Sequence, residues 1–143
     1  MSASAAKILL VEDNPDDEEL TLRALRHHQM AENVVVARDG VEALDILLSK
    51  DTDVNTLPNV VLLDLNLPRV NGHEVLKAMR ADERTRSLPV VVLTSSNEES
   101  DVQRSYNSGA NSYIRKPVDY RQFVDAVETI GNYWLRLNQG PIH

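Results

Sequence analysis

Short apolar runs recur along the chain, and each ends on a polar residue with chemistry of its own. Ile8-Leu9-Leu10-Val11 leads into Glu12-Asp13, Val60-Val61-Leu62-Leu63 into Asp64, Val90-Val91-Val92-Leu93 into Thr94, and the shorter Tyr113-Ile114-Arg115 into Lys116-Pro117. Runs so short and so uniformly apolar are strands buried on both faces, as in a parallel sheet. A further strand is predicted over residues 33–37. Amphipathic segments fill the intervals. Asn14-Pro15-Asp16-Asp17 combines a helix cap, a first-turn proline and an acidic first turn, after which Leu20, Ala24, Leu25 and His28 share one face. Arg38-Asp39-Gly40 reads as a turn into a helix over residues 41–48, and residues 49–59 as a polar loop.

The same pattern continues to the end. Pro68 and Gly72 keep residues 67–72 in a loop, and a helix follows over residues 73–81 with Val75, Leu76 and Met79 inward. Another helix spans residues 98–108 and stops at Gly109. The last begins near Asp119 and carries Phe123, Val127, Ile130, Trp134 and Leu137 at spacings of four and three. Strand and helix alternate throughout, which predicts a doubly wound, five-stranded parallel sheet with helices on both faces.

Size and composition narrow the classes. The 143 residues, 42% of them hydrophobic, make one domain with a core over about residues 7–137 and no room for a second. The absence of cysteine excludes disulfides, thiolate zinc sites and cysteine nucleophiles, and fits a reducing compartment. No stretch approaches the roughly 20 apolar residues that cross a bilayer, and the first residues lack a signal core. A cytoplasmic protein is expected. The formal charge of -7 opposes direct binding to nucleic acid or to an anionic membrane.

Ligands of such sheets bind at the carboxyl ends of the strands, so Glu12, Asp13, Asp64, Thr94 and Lys116 are expected at one edge. Clustered carboxylates repel one another and raise each other's pKa, so a cation belongs there. Oxygen donors without histidine or cysteine favour Mg2+, and His27, His28, His73 and His143 show no metal-ligand spacing. Asp64, at the end of the central run, is the best nucleophile for phosphoryl capture, with Thr94 and Lys116 engaging the transferred oxygens. Taken singly, each residue has an ordinary role as a cap, a solvated lysine or a strand-end threonine. Their joint order on successive strand ends is what those roles leave unexplained. Asp16, Asp17, Glu18 and Glu19 are assigned to the helix N-terminus, and His27 and His28 to the surface.

The motifs L-V-E-D-N at residues 10–14, L-L-D-L-N-L-P at 62–68, V-L-T-S at 92–95 and Y-I-R-K-P at 113–117 together resemble the receiver domain of two-component response regulators. The resemblance spans residue 7 to about residue 130. It implies a flavodoxin-like (βα)5 fold in which Asp64 is the phosphoacceptor and Glu12 and Asp13 hold Mg2+ with Asp64 and the backbone carbonyl of Asn66. Thr94 and Tyr113 would form the switch, and the Lys116–Pro117 peptide would be cis. It also implies a signalling protein, with at most slow self-dephosphorylation along a water route lined by Asn66 and Ser96, rather than an enzyme. Glu12 stands where aspartate is commoner. No output domain follows, so the chain resembles the stand-alone regulators. The loop before the third strand and Tyr133-Trp134-Leu135 are similar to the subgroup paired with phytochrome-type histidine kinases.

Three other readings compete. A haloacid dehalogenase-type phosphatase also uses an aspartyl phosphate, but it needs a general acid two residues after the nucleophile, where this chain has Asn66. A flavodoxin needs a first loop that cradles phosphate, which Glu12-Asp13 would repel. A purely structural module leaves the filled site without a purpose. The partner expected is a sensor histidine kinase. A homodimer through the fourth helix, fifth strand and fifth helix is also expected, because the stripe ending in Trp134 and Leu137 runs past the sheet, with Tyr133 beside it.

Overall fold

The computed structural model describes residues 7–27, 34–95 and 98–138. Five strands, β1 (Ile8–Val11), β2 (Val34–Ala37), β3 (Val60–Leu63), β4 (Val90–Thr94) and β5 (Ser112–Arg115), form one sheet in the order β2-β1-β3-β4-β5. Every pairing is parallel. The helices are α1 (Pro15–His27), α2 (Gly40–Leu48), α3 (Gly72–Ala81), α4 (Glu99–Asn107) and α5 (Tyr120–Asn132). This is the doubly wound architecture that the alternation predicts.

The pleat divides the core in two. Ile8 and Leu10 point to one face, where Ala24 and Leu25 of α1 and Phe123, Val127 and Ile130 of α5 cover them. Leu9 and Val11 point to the other, against Ala43 and Leu47 of α2 and Val75, Leu76 and Met79 of α3. Because β1, β3 and β4 are buried on both faces, their sequences are uniformly apolar. Each such side chain contributes roughly 1.5–3 kcal/mol by leaving water.

Short polar residues start α1, α2, α3 and α5 where the chain leaves the sheet. Asn14 Oδ1 accepts the N–H groups of Asp16 and Asp17 at 2.9 and 3.1 Å. Asp39 caps α2, Asn71 caps α3 and Asp119 caps α5 through the amides of Glu42, Glu74 and Gln122. Each cap is worth about 1 kcal/mol and fixes where its loop ends. The cap on α2 places Gly40 inside the helix rather than in the predicted turn. The loop at 49–59 contains a single 3-10 turn, Val54–Thr56, and α4 ends before Gly109, whose φ is 104°. Asn33, assigned to the second strand, and His28 lie outside the described residues.

The end of α5 corrects the reading of its apolar stripe. The helix widens into a π turn over Tyr133–Leu137, and Trp134 and Leu135 pack against the Ile8 and Leu10 cluster instead of projecting past the sheet. Tyr133 and Leu137 remain exposed, at 46% and 69%. Tyr133 meets Trp134 edge to face at 5.0 Å between ring centroids.

Candidate phosphoacceptor site

The functional residues are extensions of the sheet. Val11 pairs with Leu63, so Glu12 and Asp64, one step further on, are neighbours where the strand order reverses. The ladder itself holds them. Glu12 N–H donates to Ala37 O at 2.9 Å, Asp64 N–H to Val11 O at 3.1 Å and Lys116 N–H to Thr94 O at 2.7 Å. Strand hydrogen bonding thus delivers Glu12, Asp64, Thr94 and Lys116 to one edge, as their positions in the sequence predict.

Lys116 is the hub. Its Nζ lies 2.6 Å from Glu12 Oε1, 2.8 Å from Asp17 Oδ2 and 2.9 Å from Asp64 Oδ2. Thr94 Oγ1 donates to Asp64 Oδ1 at 2.8 Å, and Asn66 N–H donates to the same oxygen at 3.0 Å. Both oxygens of Asp64 are therefore engaged while the residue is only 5% exposed. A buried ion pair repays its desolvation only when the remaining donors and acceptors are also satisfied, and here three acids share one ammonium.

Protonation follows from that competition. Burial alone would raise the pKa of Asp64, but the charge of Lys116, the Asn66 N–H and the Lys116 and Thr94 hydrogen bonds outweigh it and hold the carboxyl below its ordinary range. For Glu12 burial prevails. It pushes the carboxyl up to about 7 against the opposing pull of Lys116. Burial would likewise lower Lys116, yet its hydrogen bonds to Asp17 and Glu12 and the charges of Asp64 and Glu12 hold it above the usual lysine range. The pair of acids at this edge is thus split, with Asp64 ionised and Glu12 close to half-protonated near neutrality.

Carboxylate oxygens of Glu12, Asp13 and Asp64 can approach one another within 4.8 Å, with Asp13 exposed on the solvent side. Three hard oxygen donors, with no nitrogen or sulfur among them, fit a divalent cation of the magnesium or manganese type. Tyr113 sits half-buried on β5 opposite Val92. Ser96 lies outside the described residues.

Two expectations need correction. No peptide bond among the described residues is cis, so Lys116–Pro117 is trans, the form that X-Pro bonds still favour by about 0.5–1 kcal/mol. Asp17 does more than serve the helix N-terminus, since it reaches Lys116 across 99 positions of sequence. Its neighbour Glu18 pairs with Arg38 through two 3.1 Å contacts. The one legible hint was that Asp17 lies a single turn beyond the strand end that carries Glu12 and Asp13.

Residues 8–128 match the response regulator receiver domain family. The probable methanogenesis regulatory protein FilR2 of Methanothrix harundinacea is 43% identical over 134 residues, 94% of this chain and 86% of that protein. Response regulator Rcp1 of Synechocystis sp. is 36% identical over 129 residues, 90% of this chain and 88% of that one. The crystal structure of its Mn(2+)-bound form superposes with a TM-score of 0.85 at 34% identity, covering 96% of this chain and 99% of that one. The phosphorylated cyanobacterial phytochrome response regulator RcpA superposes with a TM-score of 0.89 at 38% identity, covering 97% of this chain and all of that one, at 100%. Neither the family nor these relatives support the dehalogenase-type alternative. By family match and by fold, this chain belongs to the response regulator receiver domains.

Proposed function

We propose that Asp64 accepts a phosphoryl group from the phosphohistidine of a sensor histidine kinase. The observation that carries this reading is the state of Asp64: buried, ionised, and held on both oxygens by Lys116, Thr94 and the Asn66 amide. An oxygen of Asp64 forms a bond to phosphorus as the phosphorus–nitrogen bond of the donor breaks, the ring keeps the electron pair, and an acyl phosphate results. Lys116 then pairs with one phosphoryl oxygen and Thr94 donates to another, so both leave the carboxylate they now hold. Thr94 and Tyr113 form the switch that reports this change. Glu12, Asp13 and Asp64, with the Asn66 carbonyl, would hold Mg2+, which when bound neutralises charge on the transferring oxygens. The Mn(2+)-bound form of Rcp1 supports a divalent cation in this family.

Incubation with acetyl phosphate and magnesium, followed by intact mass, tests the assignment. A single adduct in the native chain that is lost in Asp64→Asn is the expected result, and an undiminished adduct in that variant overturns it. A stoichiometric adduct rather than continuous release of phosphate also fits a signalling protein rather than an enzyme.

The names of RcpA and Rcp1 favour a phytochrome-type kinase as donor, and the fastest transfer in a panel of histidine kinases tests that pairing. No helix of the described residues is long and apolar enough to cross a membrane, which fits a cytoplasmic partner for such a kinase. We further assign a homodimer through α4, β5 and α5, where Tyr106 of α4 and Tyr133 and Leu137 beyond α5 leave large apolar groups in solvent. Sedimentation at several concentrations decides this, a monomer throughout being the contrary result.

A further inference from the structure

The loop from Asp64 to Gly72 carries the acceptor and also holds it, because the Asn66 N–H that grips Asp64 Oδ1 belongs to that loop. Few hydrogen bonds within the loop keep it in shape. Leu67 N–H reaches Leu65 O at 3.1 Å, Val70 N–H reaches Pro68 O at 2.8 Å, and Gly72 N–H returns to Leu65 O at 3.0 Å. Leu65 and Leu67 are buried beneath it. At the apex Arg69 has φ 65°, the only non-glycine residue at positive φ among those described. A side chain with a Cβ holds that conformation at a steric penalty, so something outside the loop must favour it.

The start of α2 supplies the contact. Arg69 Nε and Nη2 both donate to Asp39 Oδ2, at 3.2 and 2.5 Å. Beside them Val70 O lies so close to Gly40 that a Cβ there would stand 1.9 Å from it, and at the other end of the loop a Cβ on Gly72 would stand 2.5 Å from Asp64 O. Asp39 divides its two oxygens between tasks. Oδ1 caps α2 by accepting the Glu42 N–H at 2.8 Å, which leaves Oδ2 for Arg69. The Glu42 amide and the Arg69 guanidinium together hold this carboxyl below its ordinary range. The Arg69 side chain is 60% exposed, and ion pairs that wet contribute little to stability. The geometry of the contact, rather than its energy, is what distinguishes it.

We propose that Asp39 and Arg69 form a strap from α2 to the acceptor loop, and that through Asn66 they are positioning residues for phosphoryl transfer to Asp64, a role that rests on the acceptor reading above. The strap sets the two peptide units that flank Asn66. The N–H of Asn66 holds the acceptor oxygen, and its carbonyl is the proposed metal ligand.

Asp39→Asn tests the strap without removing the cap, since asparagine is as good an N-cap as aspartate but offers Arg69 no charge. Arg69→Gly tests it from the other end, because glycine accepts positive φ and carries no guanidinium. In both variants the melting temperature is expected to stay close to that of the native chain while Asn66 amide hydrogen exchange accelerates. Mn2+ affinity, titrated by electron paramagnetic resonance, should fall about tenfold, the lower end for loss of an outer-shell partner. The rate of adduct formation with acetyl phosphate at subsaturating metal should fall with it. Arg69→Lys should recover part of the loss, and the double variant should be no worse than either single one. Native exchange and native Mn2+ affinity in both variants would overturn the strap, as would additive losses in the double variant. A native chain that takes no phosphoryl group at all would remove the acceptor reading instead, while amide exchange and Mn2+ affinity still decide the strap.

Discussion

Lys116 and Arg80 are both drawn into this protein, and their surroundings differ in kind. Lys116, at the carboxyl edge of the sheet, is surrounded by the carboxylates of Glu12, Asp17 and Asp64. Arg80, on α3, has no carboxylate among its hydrogen-bond acceptors within the described residues. It donates to the backbone carbonyls of Gly109, Thr85 and Leu88 and to the side-chain oxygen of Asn111, at 2.8–3.1 Å. Carbonyls fixed by the backbone suit the rigid guanidinium fork, whereas carboxylates on side chains suit a compact ammonium that can change partners. Arg80 is built to stay, closing the turns before β4 and β5 onto α3. Lys116 is placed to change partners, since Glu12 and Asp64 among its acids are also candidate partners for a metal or a phosphoryl group.

The sharpest way to break this comparison is to remove each cation with and without magnesium. Arg80→Ala strands four acceptors around a half-buried gap, and at about 1 kcal/mol for each acceptor left without its donor the stability should drop by about 4 kcal/mol. Magnesium should raise this variant and the native chain equally, leaving the deficit between them unchanged, and the Asp64 adduct should still form in the folded fraction. Urea unfolding with and without the metal measures this. A deficit relative to the native chain that shrinks on adding magnesium would mean that the two ends of the molecule are not independent.

Lys116→Ala should behave in the opposite way. Loss of one partner from a buried ion cluster costs about 3 kcal/mol, because the remaining charges are left uncompensated. A divalent cation bound, as proposed, by Glu12, Asp13 and Asp64 would supply the missing positive charge, and a ligand that binds only the folded state stabilises it by mass action. Magnesium should therefore restore most of the lost stability while adduct formation stays severely impaired. A deficit of equal size in EDTA and in millimolar magnesium would contradict the exchangeable reading of this site.

The two sites also differ in how far the sequence disclosed them. The sheet and the gathering of Glu12, Asp64, Thr94 and Lys116 were legible because two-sided burial turns strands into apolar runs, and the residues that close those runs share one edge in any parallel sheet. Asn14 and Gly109 marked helix ends for the same local reason. What escaped depended on tertiary placement. Asp17 meets Lys116 only because the sheet order brings β1 beside β3 and turns the first coil of α1 over the edge. Arg80 looks like any arginine near a helix end until β4 and β5 bring carbonyls around it. Trp134 followed the 3.6-residue stripe, but the π turn at Tyr133–Leu137 changes the angle per residue and returns its ring to the core. Likewise, nothing short of the loop's backbone could show that Arg69 adopts positive φ and reaches Asp39.

The smallest of the expected effects follows from Glu12, whose carboxyl is raised from 4.5 to about 7 by burial. Between these values the unfolded chain has lost the proton that the folded chain keeps, so the contribution of Glu12 to stability is complete at low pH and falls as the pH rises through about 7. Asp64, held below its ordinary range, runs the other way, its contribution being lost only as the pH falls below the usual carboxylate values. The two windows do not overlap, which allows Glu12 to be isolated. In EDTA the native chain should lose about 2 kcal/mol relative to Glu12→Gln between about pH 5 and about pH 7, from a shift of this size at 1.4 kcal/mol per unit. Glutamine keeps a hydrogen-bonding oxygen for Lys116 and has no proton to lose. Parallel stability curves for the two proteins across that window would show that Glu12 is already ionised in the folded state, and that Lys116, not burial, governs the acid beside the acceptor.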